Sequence, residues 1–190
     1  MNPRVEGVLI DIDNTVYVYE PAHRAALDAA LDCLASLCGL STASLEEYYN
    51  CAKELTHRNL AYTAASHNRL LYFQRMCEVL GLAIIPNAYH LYDLYWDAFF
   101  DAMRLDEGVV EFLESLGIIP VCWITDFTSD IQFRKISRLG LGRFARFMVT
   151  SEEAGVEKPH PRPFQLALGK LGLNPESVCI IGDHYEKDAM

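Results

Sequence analysis

The sequence predicts an α/β protein in which a large helical segment is inserted into a parallel, Rossmann-like sheet. Two observations support this class: short apolar runs that end in polar residues, and helix patterns that lie between those runs. The apolar runs, at 8–10, 118–124, 147–149 and 178–181, have the length and β-branched content of buried parallel strands. Strands and helices alternate in this way when crossover helices connect parallel strands.

Capping residues and glycines set the expected helix boundaries in the alternating part of the chain. We expect Asp106 to cap a helix that ends at Gly117, and Thr128 or Ser129 to cap the next helix. Proline is favoured in the first turn of a helix, so Pro161 is expected to begin the helix before the last strand.

One long interval departs from this alternation, because residues 18–104 have helix patterns alone. We therefore expect a helical domain there, and an α/β core made of residues 1–17 and 105–190. Pro21 is expected to begin the first inserted helix. Ser44, with a glutamate three residues later, forms the capping-box pattern expected at the start of the second helix.

The composition narrows the functional class. The chain has 190 residues, with 26 acidic and 16 basic side chains and a formal net charge of −10. This balance argues against nucleic acid and anionic membranes as partners, since both attract clustered Lys and Arg. No apolar run approaches the ~20 residues of a membrane span, and no secretory signal is visible at the start. We expect a cytoplasmic protein whose six cysteines are reduced core residues.

The strongest chemical signal is the pattern Asp-Ile-Asp-Asn-Thr at residues 11–15, directly after the first predicted strand. Ligands of parallel sheets bind beyond the carboxyl ends of the strands, where Asp11 is expected to lie. Because Asp11 and Asp13 repel each other, a cation or a proton is expected between them, and Mg²⁺ prefers such oxygen ligands. The structural alternative is an Asx turn that ends the strand.

Three further groups of polar residues follow the later strands: Thr125 with Asp126, Lys158 before Pro159, and Asp183 with Asp188. A hydroxyl and free N–H groups at a strand-to-helix turn form an anion site. Taken singly, each group has an ordinary interpretation as a helix cap, a solvated lysine or a surface carboxylate.

In this order, the four motifs resemble the signatures of the haloacid dehalogenase superfamily, whose phosphohydrolases use an aspartate nucleophile. The resemblance extends from residue 11 to residue 188. It implies a Mg²⁺-dependent phosphatase that acts on a small phosphorylated metabolite, either a nucleotide or a sugar phosphate. It also implies that the helical insertion, which falls between the first two motifs, is a cap that excludes water and contacts the leaving group.

The resemblance implies catalytic roles for five motif residues. Asp11 is expected to attack phosphorus and to become an aspartyl phosphate. Asp13 is expected to protonate the leaving oxygen and then to activate water. Thr125 and the backbone N–H of Asp126 would hold the transferring phosphoryl group, and Lys158 would neutralise its charge.

The resemblance also implies a metal site. Mg²⁺ would be held by Asp11, by the backbone carbonyl of Asp13 and by Asp183. Asp188 would support the site by orienting the motif lysine or metal-bound water, and Thr15 would support the first motif.

Within the predicted cap, residues 66–70 resemble cap segments of the family's nucleotidases and acylneuraminate phosphatases. His67 and Arg69 are the substrate-binding candidates there, and solvated surface is the alternative for each. The cap also holds most of the tyrosines, which indicates helix packing or a self-association surface, such as that of a homodimer. A platform for a nucleobase or a sugar is the second interpretation.

Three other functions stay open at this point. Haloacid dehalogenation needs no leaving-group acid, so Asp13 argues against it. Phosphomutase activity would follow if a closed cap returned the phosphoryl group to a sugar. A catalytically weak form that serves as a binding module is the third alternative.

Two features depart from the family pattern. Position 126 is often Asn in the family, so Asp126 adds negative charge beside the expected phosphate. The sequence ends two residues after Asp188, where family members continue with a helix and a further strand. We expect strand 178–181 then to have an uncovered edge, which favours self-association and weakens activity.

Overall fold

The computed structural model of the protein describes residues 5–188. These residues divide into two compact units. The α/β unit contains residues 5–18, 62–64 and 104–188, and the helical unit contains residues 19–61 and 65–103.

The α/β unit contains a four-stranded parallel sheet in its described part, which confirms the predicted fold class. The strands are β1 (Gly7–Ile10), β2 (Val121–Thr125), β3 (Ala145–Thr150) and β4 (Val178–Ile181). Their order in the sheet is β3-β2-β1-β4, so β1 lies between β2 and β4. Its last residue, Ile10, pairs with Trp123 on one side and with Ile181 on the other, which brings three strand ends to the same edge.

The helices of this unit are α5 (Val109–Ser115), α6 (Ser129–Arg138), α7 (Ser151–Ala154), α8 (Pro161–Leu171) and α9 (Tyr185–Asp188). Pro161 begins α8 as predicted, and Thr128 occupies the N-cap position of α6. The core between sheet and helix is formed by the buried side chains of Leu9, Cys122, Ile124, Val149, Phe164 and Ala167.

Two predicted boundaries in this unit are wrong. Strand β2 begins at Val121 rather than at residue 118, because Gly117 has a left-handed φ of 58° and turns the chain. Ile118 is consequently 98% exposed. Helix α5 begins after Gly108, whose φ of 84° places the start of the helix later than a cap at Asp106 would.

Strand β4 was expected to be a buried strand and also to have an uncovered edge, and its position among the described strands agrees with the second expectation but not with the first. It lies at one edge of the described sheet, and the side chains of Cys179 and Ile180 are exposed. The prediction that the cysteines are core residues therefore holds for Cys77 and Cys122 but is wrong for Cys51 and Cys179. All six cysteines are free thiols.

The helical unit is built from α1 (Tyr19–Cys38), α2 (Thr42–Asn59), α3 (Arg69–Val79) and α4 (Ile84–Ala102), with a short 3₁₀ turn at Ala64–His67. Its buried side chains are largely aromatic, among them Tyr49, Tyr72, Phe73, Tyr95, Trp96 and Phe99. The predicted capping box at Ser44 is wrong, because α2 begins earlier. Ser41 is its N-cap, and its hydroxyl oxygen accepts a hydrogen bond from the N–H of Ser44 at 3.2 Å.

Within residues 5–188, no helix taken alone has the length and apolar composition of a membrane span. Only α1 and α2 together meet that test, as a pair bent by 111°.

Candidate active site

The carboxyl end of β1 places Asp11 beside a buried lysine. The Lys158 ammonium donates to Asp11 Oδ1 at 2.8 Å and to Asp188 Oδ1 at 2.5 Å. The three side chains are 3%, 9% and 8% exposed, respectively. The structure thus brings together residues that lie 147 and 30 positions apart in the sequence.

Burial and ion pairing act against each other in this cluster. Burial raises the pKa of Asp11 to about 7, although the nearby Lys158 ammonium opposes that change. Burial also disfavours the charged lysine, but the ion pairs with Asp11 and Asp188 outweigh this effect and raise the pKa of Lys158. Two carboxyl groups therefore share one ammonium, which leaves an excess of negative charge in the cluster when both are ionised.

A third carboxylate completes a group that could hold a metal ion. One carboxylate oxygen from each of Asp11, Asp183 and Asp188 lies within 4.8 Å of the others. The donors are all hard oxygens, and Asp183 is exposed while the other two are buried, which suits a hydrated Mg²⁺ ion. The predicted ligand set also contained Asp11 and Asp183, but its third ligand was the backbone carbonyl of Asp13. In this group of side chains the third member is the Asp188 carboxylate.

The Asp188 carboxylate is held in place by the residue that precedes its short helix. The N–H of His184 donates to Asp188 Oδ2 at 3.1 Å. The carboxylate lies so close to Gly182 that a Cβ at that position would overlap it. A glycine is therefore required at position 182 by close approach of a side chain.

The side chain of Asp13 lies in a different environment from that of Asp11. Its Oδ1 accepts hydrogen bonds from the Lys135 ammonium, at 2.6 Å, and from the Tyr17 hydroxyl, and its Oδ2 accepts one from Gln132 Nε2 at 2.8 Å. Burial alone would raise the pKa of Asp13, but these donors, Lys135 above all, hold it below the ordinary value of 3.8. Asp11 and Asp13 thus have pKa values that are shifted in opposite directions.

Gln132 and Lys135 were missed by the sequence analysis. Both lie on α6, one turn apart, and both are 0% exposed; the apolar Ile131 and Ile136 of the same helix are also buried. Polar residues on the apolar face of an amphipathic helix were the available signal, since such residues are seldom buried without a partner.

The end of β2 brings together the predicted phosphate-binding residues. Thr125 is buried, and its Oγ1 accepts a hydrogen bond from Gln132 Nε2 at 2.7 Å. Asp126 Oδ1 accepts the backbone N–H of Lys158 at 3.0 Å, and its Oδ2 lies 3.7 Å from the Lys187 ammonium. Burial raises the pKa of Asp126, although the positive charge of Lys158 opposes that change.

The turn after β2 has an unusual backbone at Phe127, whose φ is 125°. Such conformations cost about 1–3 kcal/mol in residues other than glycine and persist where the surroundings enforce them. The Ser151 hydroxyl accepts the N–H of Phe127 at 2.9 Å and donates to its carbonyl at 3.3 Å. The ring centroid lies 4.3 Å from the Lys135 ammonium, within cation–π distance.

Thr15 contributes to the first motif through its backbone. Its N–H donates to the carbonyl of Ile12 at 3.3 Å and helps to close the turn after β1. Its hydroxyl is buried without a hydrogen-bond partner among residues 5–188.

In the helical unit, Arg69 belongs to the buried interior. Its guanidinium lies over the rings of Tyr72 and Tyr95, at 5.2 and 5.6 Å from their centroids. It donates to the carbonyl of His67 at 2.7 Å, to the Tyr95 hydroxyl at 3.4 Å and to the Tyr19 hydroxyl. The substrate-binding role of Arg69 and His67 stays a prediction.

Comparison with known proteins adds relatives and structural neighbours. The family model of the haloacid dehalogenase-like hydrolases matches residues 5–190. A ribulose-1,5-bisphosphate 5-phosphatase of Halopiger xanaduensis is 36% identical over 186 residues, which cover 96% of this chain and 78% of the relative. A glyceraldehyde 3-phosphate phosphatase of Methanopyrus kandleri is 30% identical over 198 residues, which cover 97% of this chain and 78% of the relative.

Among solved structures, a HAD phosphatase from Thermococcus onnurineus has a TM-score of 0.75 at 20% identity, and covers 97% of this chain and 80% of that one. A HAD hydrolase from Bacillus subtilis that is described as bound to magnesium has a TM-score of 0.64 at 20% identity. The match covers 97% of this chain and 81% of that one. At such identities these structures show a shared fold.

Proposed function

We propose a Mg²⁺-dependent sugar-phosphate phosphatase, because the chain belongs to the haloacid dehalogenase-like hydrolases and its relatives named above are phosphatases. The family and these phosphatase relatives together support a hydrolase that acts on phosphate esters. Of the two substrate classes expected from the sequence, a nucleotide or a sugar phosphate, the names of the relatives favour the second. The resemblance to nucleotidases and acylneuraminate phosphatases stays a prediction.

The observation that carries the proposal is the buried Asp11–Lys158–Asp188 cluster with Asp183 beside it. A nucleophilic carboxylate can accept a phosphate dianion only where positive charge offsets the repulsion. Lys158 supplies one such charge at 2.8 Å from Asp11. Mg²⁺, when bound by Asp11, Asp183 and Asp188, supplies further positive charge and favours the ionised form of the nucleophile.

The reaction then proceeds in two displacements. In the first, a carboxylate oxygen of Asp11 forms a bond to phosphorus and the bond from phosphorus to the sugar oxygen breaks. Asp13 passes a proton to that oxygen, which it must first take up from solvent because its pKa lies below 3.8 in the protein without substrate. In the second, Asp13 accepts a proton from water as the water oxygen attacks phosphorus. The bond from phosphorus to Asp11 breaks, which releases inorganic phosphate and restores the carboxylate.

The residues around these two aspartates fit their roles. Lys158 lies within reach of both Asp11 and the transferring phosphoryl group. In this proposal, the hydroxyl of Thr125 and the N–H of Asp126, at the end of the neighbouring strand, bind phosphoryl oxygens.

Haloacid dehalogenation is less well supported, because it would leave Asp13 without a role although three side chains hold it in place. The phosphomutase and binding-module alternatives stay open, and activity measurements distinguish them from hydrolysis.

The proposal is tested by phosphate release from a panel of sugar phosphates and nucleotides, with Mg²⁺ and with EDTA. The wild-type chain should release phosphate from at least one sugar phosphate, and EDTA should abolish the activity. Asp11→Asn should retain less than about a tenth of the activity, because an amide cannot attack phosphorus. Asp130→Asn is the matched control, since that carboxylate is 72% exposed on α6. Phosphate release that persists in EDTA or in Asp11→Asn would contradict the proposal.

A further inference from the structure

The Asp13 carboxylate is held at both of its oxygens by one helix. Lys135 and Gln132, which we call the α6 clamp, contact Oδ1 and Oδ2 at 2.6 and 2.8 Å. The clamp residues lie 122 and 119 positions from Asp13 in the sequence, so only the tertiary fold brings them there. With both oxygens fixed, the carboxylate plane has one orientation.

The clamp also connects Asp13 to the candidate phosphate-binding turn. Gln132 Nε2 is within 2.7 Å of Thr125 Oγ1 and within 2.8 Å of the carbonyl oxygen of Asp126. The position of α6 therefore sets the distance between Asp13 and the turn that would bind the phosphoryl group.

Lys135 itself is shielded from any substrate. Its side chain is 0% exposed, and the rings of Phe127 and Tyr17 lie 4.3 and 6.0 Å from the ammonium. Any effect that it has on catalysis must therefore pass through groups that it contacts, Asp13 foremost. A buried ion pair generally stabilises a fold no better than apolar side chains of the same volume, so stability alone does not account for a lysine here.

We infer that Lys135 and Gln132 are positioning residues that fix the Asp13 carboxylate for its part in the reaction. The inference rests on the proposed function, in which Asp13 exchanges protons with the leaving group and with water. Orientation of a proton-transfer group within a narrow range is a large part of its catalytic effect.

The experiment is a double-mutant cycle with Lys135→Met and Asp13→Asn, assayed by steady-state hydrolysis of p-nitrophenyl phosphate. This substrate has a leaving group that depends little on protonation, so the residual activity of Asp13→Asn can be measured. Arg134→Met is the matched control, because it removes a positive charge from an exposed neighbour on the same helix. Thermal melts verify folding. If Lys135→Met melts below the assay temperature, Gln132→Leu, which removes the other contact of the clamp to Asp13, takes its place in the cycle.

We expect Lys135→Met to lower kcat by about 10-fold or more and to leave KM within about two-fold, since general acid–base groups contribute about 10²–10⁴-fold. In the Asp13→Asn background, the same change should alter kcat by less than about two-fold, because contacting residues that act together are not additive. Arg134→Met should behave as wild type.

Two results would overturn the inference: full kcat in Lys135→Met, or an equal loss in both backgrounds, as a general structural defect would give. If instead Asp13→Asn keeps full activity, the assigned role of Asp13 fails, and the inference fails with it. If kcat falls in Asp13→Asn but not in Lys135→Met, the inference about the clamp is overturned and the proposed role of Asp13 still stands.

Discussion

The buried carboxyl group of Asp11, the proposed nucleophile, is expected to destabilise the metal-free protein at neutral pH. Burial raises the pKa of Asp11 from 3.8 to about 7. The folded protein therefore binds this proton more tightly than the unfolded chain does. The resulting contribution to stability is fully present below about pH 4 and is lost as the pH rises through about 7. A pKa raised by about three units corresponds to about 4 kcal/mol.

Asp11→Asn removes the ionisation while its amide oxygen can still accept the Lys158 ammonium. Urea unfolding of both proteins in EDTA should give similar free energies near pH 4. At pH 7.5 the free energy of unfolding of the variant should exceed that of wild type by up to about 4 kcal/mol. Mg²⁺ should reduce the difference, because bound cation stabilises the wild-type carboxylate. A difference between Asp11→Asn and wild type that is independent of pH would refute the reasoning.

Three further substitutions test other parts of the site. Gly182→Ala should displace the Asp188 carboxylate and lower kcat about 10-fold or more, in steady-state assays of a folded variant; an unchanged kcat would contradict the close approach. Asp126→Asn keeps an acceptor for the N–H of Lys158 and removes a negative charge, so KM for the phosphate ester should fall several-fold; a raised KM would argue against a phosphate at this turn. Asp183→Ala should raise the Mg²⁺ concentration for half-maximal activity roughly ten-fold or more, and metal titration of the activity would disprove the assignment if that concentration stayed constant.

The parallel sheet and the strand-end positions of the motif residues could be predicted from the sequence, because they depend on local patterns. An apolar run followed by a carboxylate identifies the end of a strand, and parallel strands bring their carboxyl ends to one edge. The contact of Lys158 with Asp11 follows from that topology and from the family's motif order. The start of α8 followed from the fixed φ of Pro161.

The α6 clamp could not be predicted in this way. The position of Gln132 and Lys135 on the apolar face of α6 indicates burial but not a partner, and their contact with Asp13 depends on how α6 packs against the turn after β2. The exposure of the Cys179 and Ile180 side chains was not predicted for a similar reason, because the apolar run 178–181 predicts a strand but carries no information on which neighbours cover its side chains. The start of α5 depended on a left-handed φ at Gly108, which a glycine allows but does not require.

The central claim, that Asp11 attacks phosphorus, is tested most directly by trapping the covalent intermediate. The wild-type chain is mixed with substrate and Mg²⁺, quenched in acid and digested, and the peptides are analysed by mass spectrometry. A phosphoryl group is expected on the peptide that contains Asp11, and none on that peptide from Asp11→Asn. Phosphate on another residue of the wild-type chain, or hydrolysis by Asp11→Asn at the wild-type rate, would contradict the claim.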